Sequence, residues 1–266
     1  MKDYHSLEQT IGKDADMAIL ITGASAGFGA EMCRVLVHAG YKVIGAARRL
    51  DKLHHLQAEL GAAFLPLQMD VADKSSVDSA LASLQGTWAD IDLLVNNAGL
   101  ALGMEPAQEA NYADWETMIH TNILGLTYVT RQILPRMIAK NAGYIINLGS
   151  TAGAWPYKGG NVYGATKAFV RQFSLNLRTD LAGTRIRVTN IAPGLCGDTE
   201  FSNVRFRGDD KQAAAVYENI SYLQPADIAN TVLWLYQTPA HMNVNNIEIM
   251  PVSQTFAGLS VTRDLA

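Results

Sequence analysis

Cysteine is almost missing from this 266-residue chain: Cys33 and Cys196 are the only two, far apart and in no C-x-x-C pair. That excludes a disulfide framework and a thiolate metal site, and makes a reducing cytoplasm the expected setting. Basic residues are not in excess either. With 21 Lys and Arg against 25 Asp and Glu the net charge is −4, too little cationic surplus for a nucleic-acid partner. No apolar run approaches the length that crosses a bilayer, so no membrane partner is expected. The histidines offer the adjacent His54 and His55 but no H-x-x-x-H, so no metal is expected. Met1 to Asp16 is polar and lacks the apolar centre of a signal peptide. Those sixteen residues are expected to be an extension outside the fold, with 17–266 forming one domain. Linkers rich in Pro and Ser, internal repeats and low-complexity tracts are absent as well.

What is present is a chain 48% hydrophobic and 17% charged, which suits one large packed core and excludes disorder. Short β-rich runs alternate with longer amphipathic stretches, the pattern of βαβ units. Seven strands are predicted: Met17 to Thr22, Tyr41 to Ala46, Ala63 to Leu67, Ile91 to Val95, Tyr144 to Leu148, Arg185 to Ile191 and Asn246 to Ile249. Their nearly continuous apolar runs require cover on both faces. The predicted fold is therefore α/β, a single Rossmann-type doubly wound domain with a seven-stranded parallel sheet. Helices are predicted near Phe28 to Ala39, Asp51 to Leu60, Lys74 to Leu84, Tyr112 to Lys140 with a bend at Pro135, Val162 to Leu181 and Pro225 to Tyr236. Residues 195–222 fit neither period and read as a loop with a short helix, the place for a substrate lid.

The first strand runs through Thr22-Gly23-Ala24-Ser25-Ala26-Gly27-Phe28-Gly29 into a helix. Gly23 permits a tight turn, and Gly27 and Gly29 let a pyrophosphate approach the N–H groups at the helix start, beside Ser25 and Phe28. The second strand ends Ala46-Ala47-Arg48-Arg49, with Ala47 where an acid would hold the ribose of NAD. Two guanidiniums at that point suit a 2′-phosphate, and cations at a helix start otherwise lie against the dipole. NADP is thus the expected cofactor.

Further on stand Asn96-Asn97-Ala98-Gly99, Asn122, Ser150, Tyr163-Gly164-Ala165-Thr166-Lys167 and Pro193-Gly194. A T-G-x-x-x-G-x-G turn, N-N-A-G, a serine thirteen residues before Y-x-x-x-K, and a P-G after the sixth strand resemble the short-chain dehydrogenase/reductase family from about Met17 to Pro251. The resemblance implies that Asn122, Ser150, Tyr163 and Lys167 form a catalytic tetrad, with Asn122 holding a water that links Lys167 to solvent. It also implies cofactor contacts at Asn97, Ala98, Gly99, Pro193 and Gly194, and at Asp70 and Val71 on the adenine, although Asp70 also fits as a helix cap. Thr199, one residue beyond the family's usual threonine position, is the candidate for the nicotinamide carboxamide.

The residues support this chemistry on their own. Tyr163 and Lys167, four apart, project from one helix face, where the ammonium is expected to lower the phenol pKa for proton exchange with a substrate hydroxyl. Ser150, at the carboxyl edge of the sheet, can hydrogen-bond the same oxygen. Singly each has a bland reading, since i,i+4 pairs are common on helix surfaces and serines often cap. Four in family order below a phosphate-binding turn make coincidence a poor explanation.

Three segments, 100–106, 149–157 and 199–206, resemble more closely a subgroup of that family, the NADP-dependent 3-hydroxy acid dehydrogenases. This likeness implies a small hydroxy-acid substrate such as serine or allo-threonine, or reduction of malonic semialdehyde. Trp155 and Tyr157 are then candidates for the substrate pocket, Arg205 for the carboxylate in preference to Arg207, and Glu200 for the amine of serine. A broad carbonyl or 3-oxoacyl reductase is the alternative activity, and a redox sensor that binds NADP(H) without turnover is the alternative class; the complete tetrad disfavours the sensor. The family, with Ala168, Phe169 and Phe173 on an outer helix face, also implies a homotetramer.

Overall fold

The computed structural model describes residues 17–255, so the expected extension at 1–16 and the last residues of the expected domain, 256–266, lie outside the described residues. In chain order the main elements are β1 (Ala18–Thr22), α1 (Gly27–His38), β2 (Lys42–Ala47), α2 (Leu50–Leu60), β3 (Phe64–Gln68), α3 (Lys74–Ala82), β4 (Ile91–Asn96), α4 (Tyr112–Ile119), α5 (Leu126–Lys140), β5 (Gly143–Leu148), α6 (Asn161–Asp180), β6 (Ile186–Pro193), α7 (Phe201–Arg205), α8 (Asp210–Ala215), α9 (Pro225–Gln237) and β7 (Asn246–Ile249).

Side chains alternate across a strand, so an unbroken apolar strand feeds two cores. In β1, Ile19 and Ile21 pack with Met32 and Leu36 of α1, Leu53 of α2 and Val232 of α9. Ala18 and Leu20 face the other way, with Val77 of α3, Val129 and Ile133 of α5 and Leu177 of α6. The strands lie in the order β3-β2-β1-β4-β5-β6-β7, each pair parallel. The chain moves outward from β1 to β3 and then returns to β4, so the loops leaving β1 and β4 diverge and open a crevice at the carboxyl edge.

That edge is pinned by polar side chains in register: Asn96, Asn147, Asn190 and Asn246 stand side by side across β4 to β7. Asn96 Nδ2 donates to Asn147 Oδ1 and to Thr130 Oγ1, both at 2.9 Å, and Asn190 Nδ2 donates to Asn246 Oδ1 at 2.6 Å. Asn147 reaches Ser174 Oγ of α6 at 2.9 Å. Buried amides bonded in this way resist slippage of one strand past another, directly beneath the loops that carry the site.

Two expectations are revised. The stretch from Tyr112 to Lys140 is not one helix bent at Pro135; it is broken by a π-helical turn, His120–Gly125, while Pro135 lies inside α5. Segment 195–222 holds two short helices, α7 and α8, rather than one.

Candidate active site

At the end of β1 the backbone needs glycine. Gly23 has φ +69°, and a Cβ there would come 2.9 Å from Ala98 Cα; a Cβ on Gly29 would come 2.3 Å from the Gly23 carbonyl oxygen. Helix α1 then begins with no side-chain cap at Ala26 and no acid in its first turn. Its leading N–H groups therefore lack a side-chain acceptor, as at helix ends that receive phosphate. Asn97 and Ala98 are tied to the same turn: both backbone N–H groups donate to Thr22 Oγ1 at 3.0 Å, and Asn97 Nδ2 donates to the Thr22 carbonyl at 2.8 Å.

Past β2, Arg48 is exposed beside the crevice. Arg49, exposed as well, donates to Ser25 Oγ through Nε and Nη2 at 3.2 and 3.0 Å and to the Glu200 carboxylate at 3.2 and 2.7 Å. The Glu200 carboxylate, the candidate for the amine of serine, is thus paired with Arg49 on the Gly-rich side of the cavity. Asp70 does not cap α3. Asp73 does, accepting from the Ser75 N–H at 2.9 Å, whereas Asp70 accepts from the Ala72 N–H at 3.0 Å.

Tyr163 and Lys167 share a face of α6 and are both buried. The Lys167 ammonium lies 5.9 Å from the centre of the Tyr163 ring and donates to the Leu148 carbonyl at 2.8 Å. Burial alone pulls Lys167 down to about 8. The Tyr163 phenol goes the other way, pushed up to about 12 chiefly by burial, with a hydrogen bond to Ser150 and the charge of Arg205 acting to lower it. The expected lowering of this phenol by Lys167 is thus not found: loss of hydration dominates, and the cation that opposes it is Arg205. Ser150 Oγ also accepts from the Ala152 N–H at 3.1 Å, which fixes the hydroxyl beside the phenol.

Asn122 sits in the π-helical turn with both amide protons and one lone pair of its amide oxygen engaged. It accepts from the Leu100 N–H at 2.9 Å and donates to the Leu100 carbonyl at 2.9 Å and to Thr166 Oγ1 at 3.1 Å. The side chain therefore anchors the loop after β4. Gly99 separates the two: a Cβ there would meet Asn122 Oδ1 at 3.2 Å and Lys167 Nζ at 3.3 Å.

Arg205, at the end of α7, is partly buried and points into the crevice. Nη2 donates to Tyr157 Oη at 2.7 Å and Nε to the Gly103 carbonyl at 3.2 Å, and the guanidinium lies 5.6 Å from the centre of the Tyr163 ring. Arg207 instead pairs with Asp114. The Trp155 indole N–H donates to the Glu248 carboxylate at 3.2 Å. Thr199 rests against Gly27, its hydroxyl accepting from the Phe201 N–H at 3.3 Å.

All of this surrounds one cavity of about 720 Å3, within the size range of small-molecule and cofactor sites. Gly23, Ser25, Gly27 and Phe28 border it at one end, together with Arg48, Arg49, Asp70 and Val71. Asn97, Ala98 and Gly99 form its floor with Pro193, Gly194 and Thr199; Ser150, Trp155, Tyr157, Tyr163, Lys167 and Arg205 line the remainder. Gly29 and Asn122 stand behind the wall. Sequence reasoning missed Phe201, whose ring lies 5.7 Å from that of Tyr163, and Gln254, whose Oε1 accepts from the Leu195 N–H at 2.7 Å. Phe201 lies within a segment of subgroup likeness; Gln254 carries no local signal. Glycine backbone at an uncapped helix start, arginine in place of an acid after β2 and ample length together fit a dinucleotide bearing a 2′-phosphate.

The short chain dehydrogenase family model matches residues 17–209. A probable NADP-dependent dehydrogenase of Haemophilus influenzae is 60% identical over 245 residues, 92% of this chain and 97% of that protein. The NADP-dependent 3-hydroxy acid dehydrogenase of Escherichia coli K12 is 58% identical over 247 residues, 93% of this chain and all of that one. Among solved structures, the closed form of serine dehydrogenase complexed with NADP+ superposes with a TM-score of 0.92 at 57% identity, covering 93% of this chain and 100% of its own.

Proposed function

The chain belongs to the short chain dehydrogenase family, and from that premise we propose that it is an NADP-dependent dehydrogenase of small 3-hydroxy acids. The Gly-rich turn, the α1 N-terminus and Arg48 would hold NADP(H), which would supply the hydride acceptor for oxidation and the donor for reduction. The protein's own residues manage the oxygen. Tyr163 takes the proton of the 3-hydroxyl in oxidation and returns one to the 3-oxo oxygen in reduction. Ser150 holds that oxygen, and Lys167, fixed by the Leu148 carbonyl, adds positive charge beside the phenol while it stays protonated, up to about pH 8.

The single observation that carries the substrate class is Arg205. A guanidinium over the Tyr163 ring places a cation at the reacting end of the cavity, where a substrate carboxylate can be gripped through two N–H groups. Serine, allo-threonine and 3-hydroxybutyrate all bring a carboxylate two bonds from the carbinol carbon. A homotetramer in a reducing cytoplasm completes the reading, supported by free Cys33 and Cys196 and by the exposed Ala168 and Phe169 on α6. Initial rates with L-serine, L-allo-threonine and DL-3-hydroxybutyrate, each with NADP+ and with NAD+, test the proposal. Turnover of at least one acid with a clear preference for NADP+ is expected, and turnover confined to uncharged alcohols would refute it.

A further inference from the structure

Binding a nucleotide and moving a proton leave one contact at the cavity mouth unexplained. Arg49, just past β2, and Glu200, at the start of α7, are 151 residues apart in sequence and meet in a two-pronged ion pair, Nη1 to Oε1 at 3.2 Å and Nη2 to Oε2 at 2.7 Å. Both line the cavity, so the pair joins the phosphate side of the crevice to the segment that follows β6. Next to it, Thr199 lies against the Gly-rich turn, 3.3 Å from where a Gly27 Cβ would stand. Residues 199–200 thus form a strap across the start of α1. Its backbone is unusual on both sides of α7: Asp198 and Arg207 have φ of +53° and +55°, a conformation that non-glycine residues rarely adopt. Contacts at both ends hold α7 there, Glu200 on Arg49 and Arg205 on Tyr157 and Gly103.

We propose that the Arg49–Glu200 pair is a latch that fastens this strap over the bound nucleotide, so that its opening governs how fast NADP(H) enters and leaves. The inference rests on the NADP(H) reading of the cavity. The pair is built for reversible use. Both side chains are 45% exposed, so water can replace either partner and salt can screen the attraction, while the forked geometry fixes where the strap seats.

A carboxylate beside a phosphate site has a second possible effect, and its sign is opposite. If Glu200 only repelled the phosphates, removing its charge would slow cofactor release. If it latches the strap, removing the charge quickens both release and entry. The test uses the full chain: a preformed NADPH complex is mixed with excess NADP+ in a stopped-flow instrument, and release is followed by loss of bound-NADPH fluorescence. Glu200→Gln is expected to release NADPH about two- to five-fold faster than wild type, as an exposed pair allows, and the gap is expected to shrink as salt is raised. Glu200→Ala repeats the measurement without an amide that could bond Arg49. Release that is unchanged or slower in both variants overturns the latch alone, whereas a wild-type protein that binds no NADPH overturns the cofactor reading together with it.

Discussion

In the proposed reaction Tyr163 carries the proton, and its surroundings define what pH should do. Burial holds the phenol proton on to about pH 12, against the pull of Ser150 and Arg205. Oxidation of a hydroxyl needs the deprotonated form, so its rate should climb as pH rises, while reduction, which needs the phenol, should fall over the same range. Tyr163→Phe is expected to cut turnover by on the order of 100- to 10,000-fold while NADPH affinity, measured by fluorescence titration, stays nearly unchanged. Arg205 acts on both partners of the reaction. Arg205→Met should raise KM for 3-hydroxy acids about 10- to 100-fold, as the loss of a charge-assisted hydrogen bond implies. The same variant should move the rise in oxidation rate to higher pH, because a charge that lowers the Tyr163 pKa has been removed. A KM that rises equally for acids and for uncharged alcohols would assign Arg205 to structure alone. The direction of this side chain was not legible in the sequence: a short helix after Pro193-Gly194 lets Arg205 and Arg207 part ways, and only one of them faces Tyr163.

Elements set where these residues stand, and β6 and α9 show how. Arg187 of β6 is buried against the Tyr144 ring, its guanidinium 3.9 Å from the ring centre. It donates to the carbonyls of Leu235, Tyr236 and Thr238 at 3.2 to 3.3 Å, closing the carboxyl end of α9. Arg187→Met strips those carbonyls of their donor inside the protein and should cost about 2 kcal/mol of stability, read as a lower urea midpoint. The strands themselves were readable because burial on both faces writes continuous apolar runs such as Ala18-Ile19-Leu20-Ile21. The π-helical turn at 120–125 was not: its one glycine, Gly125, is tolerated inside a helical pattern and by itself announces no break. The glycine turn, the Tyr163/Lys167 spacing and Arg48 could be read locally. Contacts such as Gln254 to Leu195 and Glu200 to Arg49 join distant parts of the chain, and no periodicity announces them.

At the scale of the whole molecule, one sheet with two cores brings the ends of β1, β2, β4, β5 and β6 to a single crevice, so the cofactor and substrate regions are parts of one cavity. Outside it, α6 exposes Phe169, stacked on Phe173 at 5.8 Å, together with Leu175, and α5 exposes Ile138. Apolar side chains on adjacent outer helices support self-association through two-fold axes. Light scattering at micromolar concentration should give the mass of a tetramer, and a monomer would contradict that part of the proposal. Among the described residues no helix is long and apolar enough to cross a membrane.

In the proposed reaction a carboxylate-bearing 3-hydroxy acid is oxidised with its charge held at the reacting end of the cavity. The most direct measurement is kcat/KM with NADP+ for 3-hydroxybutyrate against its methyl ester, which keeps the hydroxyl and removes the charge. A preference for the acid of about 10-fold or more is expected in the wild type, collapsing in Arg205→Met. Equal values for acid and ester in the wild type would contradict it.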